Sequence, residues 1–211
     1  MNMQTLKTLN ICPKNEKELI MSYNTPIHRE FNALVNPHLK SLKNTAYRLT
    51  RSEEEADDLM QETFFKAYKA FNQYERNTNF RAWIFKIMVN SYITAYRKMV
   101  RRPQKVSYED LEDYHFYQNE AFSTDPTHVM SPGFAADHFE DEVKTALEKL
   151  PYYFRIIVLL CDIEGFSYQE ISNMINIPVG TVMSRLHRGR SLLRRRLTKY
   201  AREKGYAPSQ N

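Results

Sequence analysis

Four residues near the C-terminus, Thr181, Ser184, Arg185 and Arg188, recur at i, i+3, i+4 and i+7, the spacing that gathers side chains on one face of a helix. Hydroxyls and guanidinium forks hydrogen-bond base edges and phosphates, and arginine can grip guanine through two parallel bonds. A second row, Asn90, Thr94, Arg97, Lys98 and Arg101, also repeats at helical spacing, with no acid to balance it. Such a stripe suits a phosphate backbone, or plain solvation. The third set has the opposite sign: Asp58, Gln61, Glu62 and Phe65 share a face on which a large aromatic sits among acids. Spacing alone leaves two readings of that face, a docking surface for another protein or a solvated acidic face with Phe65 folded under a neighbouring helix.

Other chemistries find no residues to carry them. The six histidines are scattered without metal-ligand spacing, and Cys12 and Cys161 are the only thiols. Cys161 ends the apolar run from Ile156 and reads as a small buried hydrophobe. No nucleophile is paired with a base and no glycine loop could cradle a phosphate, so no catalytic residue, metal or cofactor is expected.

The elements that must hold these sets are helical. Only five glycines occur in 211 residues, and apolar residues make up 42% of a chain that is 26% charged, which describes a soluble globular protein. A helix opens at Ser52, with Glu55 placed to complete a capping box, and Ala56, Met60, Thr63, Ala67 and Phe71 form its core face. After a loop over residues 72–79, a second long helix runs from about Phe80 to Arg101 with Ile84, Ile87, Met88, Ser91 and Ala95 inward. Pro151 sits at a helix start. Ser167 and Glu170 make another capping box, opening a short helix with Tyr168, Ile171 and Ile175 inward; Asn176 supports a turn and Pro178 begins the next helix. On that last helix Val182, Leu186, Gly189 and Leu193 face the core, and Gly189 permits a close backbone approach. A capped short helix, a tight turn and an arginine-rich second helix make a helix-turn-helix, whose second helix enters the major groove. A basic amphipathic helix lying on an acidic partner or a membrane surface would need neither the first helix nor the turn.

Charge divides the chain. Residues 94–102 carry Arg97, Lys98, Arg101 and Arg102 without an acid, residues 103–142 carry ten acids against Lys105, and residues 180–204 carry nine Lys or Arg against Glu203. This order predicts two nucleic-acid-facing modules held apart by an acidic linker. The expected fold is all-α: a flexible N-terminal extension (1–24, with Met1 or Met21 as the true start), a first helical domain (25–102), an acidic flexible linker (103–137), a second helical domain (138–204) and a tail (205–211). No stretch resembles a signal peptide or a membrane span, which predicts a cytoplasmic protein without membrane insertion.

Across about 175 of the 211 residues the chain resembles the extracytoplasmic-function (ECF) sigma factors of the sigma-70 family. The run from Ala56 to Phe64 is similar to sigma region 2.2, Phe80 to Ile84 to region 2.3, Asn90 to Arg97 to region 2.4, and Ser167 to Leu193 to region 4.2. The resemblance implies a non-enzymatic subunit that binds core RNA polymerase and directs it to promoters. It implies that Asp58, Gln61, Glu62 and Phe65 dock on the β′ clamp helices, and that Tyr74, Arg76, Asn77, Asn79, Asn90, Thr94, Arg97, Lys98 and Arg101 read the −10 element and hold a flipped-out base. The second domain would bind the β flap and, through Thr181, Ser184, Arg185 and Arg188, the −35 element. The acidic linker would thread the polymerase, and an anti-sigma factor would be a partner. Many members carry Asp where this chain has Thr94; the surrounding run is closer to the redox-responsive subgroup, and loss of that carboxylate separates its −10 preference from theirs. Two alternatives fit less of the chain: a stand-alone helix-turn-helix regulator leaves the first domain unexplained, and a nucleic-acid-processing enzyme lacks a catalytic set.

Overall fold

The computed structural model of the chain describes residues 25–100 and 141–206, and these form an all-helical structure. The N-terminal extension, the acidic linker, Arg101 and the end of the tail lie outside the described residues.

Helix α1 (Pro26–Val35) starts where Thr25 accepts a hydrogen bond from the His28 N–H and Pro26 supplies a preset φ at the first position. A 3₁₀ turn (Asn36–His38) leads into α2 (Leu39–Thr50), which stops at Arg51 in the left-handed region, φ 66°. Ser52 then caps α3 (Glu53–Ala70) by accepting from the Glu55 N–H, and Glu53, Glu54 and Glu55 put negative charge on the positive end of the helix dipole. All five residues of the expected core face of α3, Ala56 to Phe71, are buried. A 3₁₀ turn (Phe71–Gln73) and a loop connect to α4 (Phe80–Val100). Phe31, Phe71, Tyr74 and Phe80 meet edge-on or stacked at 5.2–6.4 Å between ring centres and close this end of the first domain.

In the second domain α5 (Asp141–Glu148) precedes α6 (Tyr152–Val158), which passes into a π-helical turn (Leu159–Ile163). Then come α7 (Tyr168–Ile175) and α8 (Val179–Glu203). Pro151 and Pro178 stand at the N-caps of α6 and α8, as their fixed φ favours. The expected inward faces of α7 and α8 hold, with Met174 and Leu192 added to the buried set.

Two expectations need correction. Ala95, expected inward on α4, is exposed, whereas Phe85, Val89 and Tyr92 are buried beside Ile84 and Met88. The reason is also the second correction: the domains are not held apart. Phe85 of the first domain meets Phe166 of the second at 5.1 Å, Tyr96 stacks on Tyr152 at 4.0 Å, and buried residues of both domains form one continuous apolar cluster. Helix α4 is therefore covered on two flanks, and a one-sided core face underestimates what it buries.

Helices α8 and α6 approach closely at Gly189. A Cβ there would lie 2.8 Å from Val158 Cγ2 and 3.4 Å from Phe154 Cβ, so α8 rests directly on α6. Gly189→Leu is expected to lower unfolding free energy by about 1–3 kcal/mol, the usual cost of overpacking, as read by urea denaturation followed by circular dichroism.

Candidate nucleic-acid interface

Helices α7 and α8 are set by a closed ring of local bonds. Ser167 Oγ accepts from the Glu170 N–H at 3.2 Å while Glu170 Oε2 accepts from the Ser167 N–H at 2.9 Å, completing the capping box. Asn176, at φ 55°, ends α7 in the left-handed conformation that Asn tolerates, and Ser172 Oγ donates to the Ile177 carbonyl at 2.6 Å to brace the turn. Arg190 reaches back from α8 to Asp162 through two bonds, 3.2 and 2.5 Å, which fixes the rotation of α8 against the π turn. That pairing holds the Arg190 guanidinium more firmly protonated than usual.

The resulting outer face carries Thr181, Ser184, Arg185 and Arg188, all partly exposed, with the Arg185 guanidinium 5.8 Å above the Tyr153 ring and Ser184 Oγ donating to the Thr181 carbonyl. The outermost line of α8, however, is Gly180, Met183, His187 and Ser191, at helical spacing beside those four. Polarity singled out hydrogen-bonding residues; exposure adds Met183, whose apolar side chain gave no sequence signal.

In the first domain Arg76, Asn77 and Asn79 stand exposed on the loop before α4, and Asn90, Thr94, Arg97 and Lys98 stand exposed along it. Asn77 takes φ 70°. Arg76 forms a bidentate pair with Glu30, at 2.8 and 3.1 Å, which holds the Glu30 carboxyl below its ordinary range. Thr94 Oγ1 donates back to the Asn90 carbonyl. Tyr74 is the exception. It is 5% exposed, packed against Phe71, Phe80 and Trp83, and its hydroxyl donates to the Thr78 carbonyl, so it props the loop from below and offers no free ring to a base. Arg101 lies outside the described residues.

On α3, Phe65 is 48% exposed and turned away from the core, with Lys69 Nζ 4.7 Å from its ring. Asp58 and Glu62 are exposed beside it, Glu62 pairing with Lys66 at 2.6 Å, and Gln61 is half-buried. The alternative in which Phe65 folds under a neighbouring helix does not occur.

Among the described residues no cluster of His, Cys, Asp and Glu is arranged to hold a metal, and no helix is long and apolar enough to cross a membrane.

Comparison with known proteins decides the family. The pattern described as Sigma-70 region 2 matches residues 34–102, and Sigma-70, region 4 matches residues 140–193. The chain is 30% identical over 177 residues to the ECF RNA polymerase sigma factor SigW of Bacillus subtilis, covering 79% of this chain and 88% of that one. The chain belongs to the ECF sigma factors of the sigma-70 family. It is also 36% identical over 174 residues to the ECF sigma factor SigE of Mycolicibacterium smegmatis, covering 82% of this chain and 63% of the length of that relative. In fold it resembles the sigma factor RpoE of Bartonella quintana, solved in complex with the anti-sigma factor NepR, with a TM-score of 0.60 at 24% identity over 81% of this chain and 98% of that one. The matched segments place the α3 and α4 faces of this sigma factor in region 2, and α7 with most of α8 in region 4.

Cys161 of this sigma factor is chemically quiet. Burial, then the neighbouring Asp162 carboxylate, pushes its thiol up to about 11, so little thiolate exists near neutrality. In the native protein at pH 8, Cys161 is expected to react with iodoacetamide at least about a hundredfold more slowly than in urea, as followed by mass spectrometry of the Cys161 peptide.

Proposed function

We propose that this sigma factor binds core RNA polymerase and directs promoter-specific initiation, with three separate faces sharing the work. The α3 face of Asp58, Gln61, Glu62 and Phe65 docks on the β′ clamp helices: a half-exposed aromatic on a face shared with two acids and a glutamine has the composition of an interface anchor. The exposed residues of the loop before α4 and of its polar stripe, Arg76, Asn77, Asn79, Asn90, Thr94, Arg97 and Lys98, read the −10 element, with Tyr74 as their support. The α8 face of Thr181, Ser184, Arg185 and Arg188, extended by Met183 and His187, reads the −35 element in the major groove. The β flap and an anti-sigma factor complete the partners. The chain itself is non-enzymatic.

One observation carries this reading: a capped helix-turn-helix with a basic outer face and an acidic face with an exposed aromatic occur on different domains of one chain. A regulator that binds its operator alone has no use for the second of these.

Phe65→Ala with Glu62→Ala should weaken binding to core polymerase by about 2–4 kcal/mol, as truncation of interface anchors does. Arg185→Ala with Arg188→Ala should leave core binding intact and reduce transcription only from promoters that depend on the −35 element, by about 1–3 kcal/mol for each base grip lost. Fluorescence anisotropy with core enzyme and run-off transcription with reconstituted holoenzyme measure the two. Equal loss of core binding in both double variants would refute the division.

A further inference from the structure

Helix α8 continues past the segment that carries the sigma pattern. The region 4 segment ends at residue 193, whereas α8 runs on to Glu203. The end of the helix is held in place. Gly205, at φ 72°, donates its N–H to the Arg202 carbonyl at 3.1 Å, and the Tyr206 N–H donates to the Ala201 carbonyl at 2.8 Å. These two crossed bonds make a Schellman motif, in which glycine supplies the left-handed residue. The Tyr200 and Tyr206 rings meet across the same turn, 6.5 Å apart. Residues 194–203 therefore extend the helix as a rod of about 15 Å, at about 1.5 Å per residue.

That rod is cationic. Arg194, Arg195, Arg196, Lys199, Arg202 and Lys204 are all exposed. Glu203 is the one acid from residue 180 to residue 204, and it reaches Lys199 only at 3.8 Å, with both side chains in solvent. Among the described residues no carboxylate pairs with Arg194, Arg195, Arg196 or Arg202. Helix stability does not account for so many cations. The helix dipole favours positive charge only in the last turn, which covers Arg202 and the cap residue Lys204. Arg195 and Lys199 stand at i, i+4, where like charges destabilise a helix.

Register ties the rod to the base-reading face. Arg188, Arg195 and Arg202 follow one another at i, i+7 and i+14, with Lys199 between the last two, so one row continues along the same side of α8. In a helix-turn-helix the N-terminal residues of the second helix face the base edges. A straight rod cannot follow a groove that winds around the duplex. The major groove is about 12 Å wide, and Arg188 to Arg202 alone spans about 21 Å along the axis. The cations beyond Leu193 thus come level with the backbone that borders the groove, where a guanidinium or ammonium meets phosphate.

We propose that Arg194, Arg195, Lys199 and Arg202 form a sequence-independent binding row for the DNA phosphates beside the −35 element, outside the bases read by Thr181, Ser184, Arg185 and Arg188. The row anchors the domain on the duplex and adds affinity without adding base preference. This rests on the assignment of the first half of α8 to the −35 element.

The test uses holoenzyme reconstituted with the full-length sigma factor carrying Arg194→Gln, Arg195→Gln, Lys199→Gln and Arg202→Gln, since glutamine keeps helix propensity. Log affinity for promoter DNA plotted against log salt should lose about 2–4 from its slope, because each phosphate contact contributes about 0.9. The loss should be equal on promoters that differ in their −35 sequence. Hydroxyl-radical footprints should lose protection beside the −35 element and keep it across the element. A second variant, Arg194→Lys with Arg195→Lys and Arg202→Lys, should retain the original slope, because a phosphate accepts a point charge. An unchanged slope or an unchanged footprint in the glutamine variant overturns the proposal. So does a matching loss of affinity for core polymerase alone, which would make the rod a protein-docking surface. Failure of the −35 assignment reads differently: Arg185→Ala with Arg188→Ala would leave −35 dependence intact while the glutamine variant still lost its slope.

Discussion

Helix α4 must satisfy three surroundings along a single rod of 21 residues, and the remaining structure is arranged around that demand. One flank buries Ile84 and Met88 in the first domain, another puts Phe85 against Phe166 of the second, and what remains is the polar stripe from Asn90 to Lys98. A helix with two apolar flanks has no simple amphipathic signature, and its register is fixed at its ends. Asn79 sets the first turn through its bond to the Ala82 N–H, and the Phe71, Tyr74, Phe80 and Trp83 rings clamp the chain just before and after it. The loop that presents Arg76 and Asn77 is therefore hung from the same aromatic cluster that starts the helix. Rotation of α4 would move the stripe, the loop and the seat of α7 together.

Three arginines are committed within the protein: Arg155 is interior, Arg190 pairs with Asp162 and Arg81 with Glu164. Exposed cations such as Arg29, Lys40, Lys69, Lys86 and Lys149 are spread over the other helices, but the densest rows of them lie on the last third of α4 and along α8. Direction serves recognition better than total charge does, because phosphate contacts fix register only where cations form a row.

Local rules made much of this legible in sequence. Capping boxes, prolines at helix starts, the turn at Asn176 and the glycine at 189 are short-range signals, and each appears where its spacing predicts, save that the Ser52 cap forms only one half of its box. The outward Phe65 was legible too, as a position on a face, although its freedom from neighbours was not. What the pattern could not show depends on distant partners. Tyr74 sits in a polar loop and reads as an available ring until Phe71, Phe80 and Trp83 are seen around it. Glu164 reads as one acid in a turn, yet its partners are 83 to 123 residues away in the chain. The order of charges predicted two modules held apart by an acidic linker, but the contact between domains is made by neutral aromatics and a few paired charges that periodicity does not reveal.

The sealed position of Glu164 has a consequence for how ionic conditions act on the molecule. Charges shut away from water are screened little by dissolved ions, whereas contacts between exposed cations and phosphates weaken steeply as counterions become plentiful. The Glu164 carboxylate is 5% exposed and the Arg97 and Lys98 side chains stand in solvent. Rising salt thus weakens any phosphate contact that Arg97 and Lys98 make while leaving the ion pair of Glu164 with Arg81 nearly untouched.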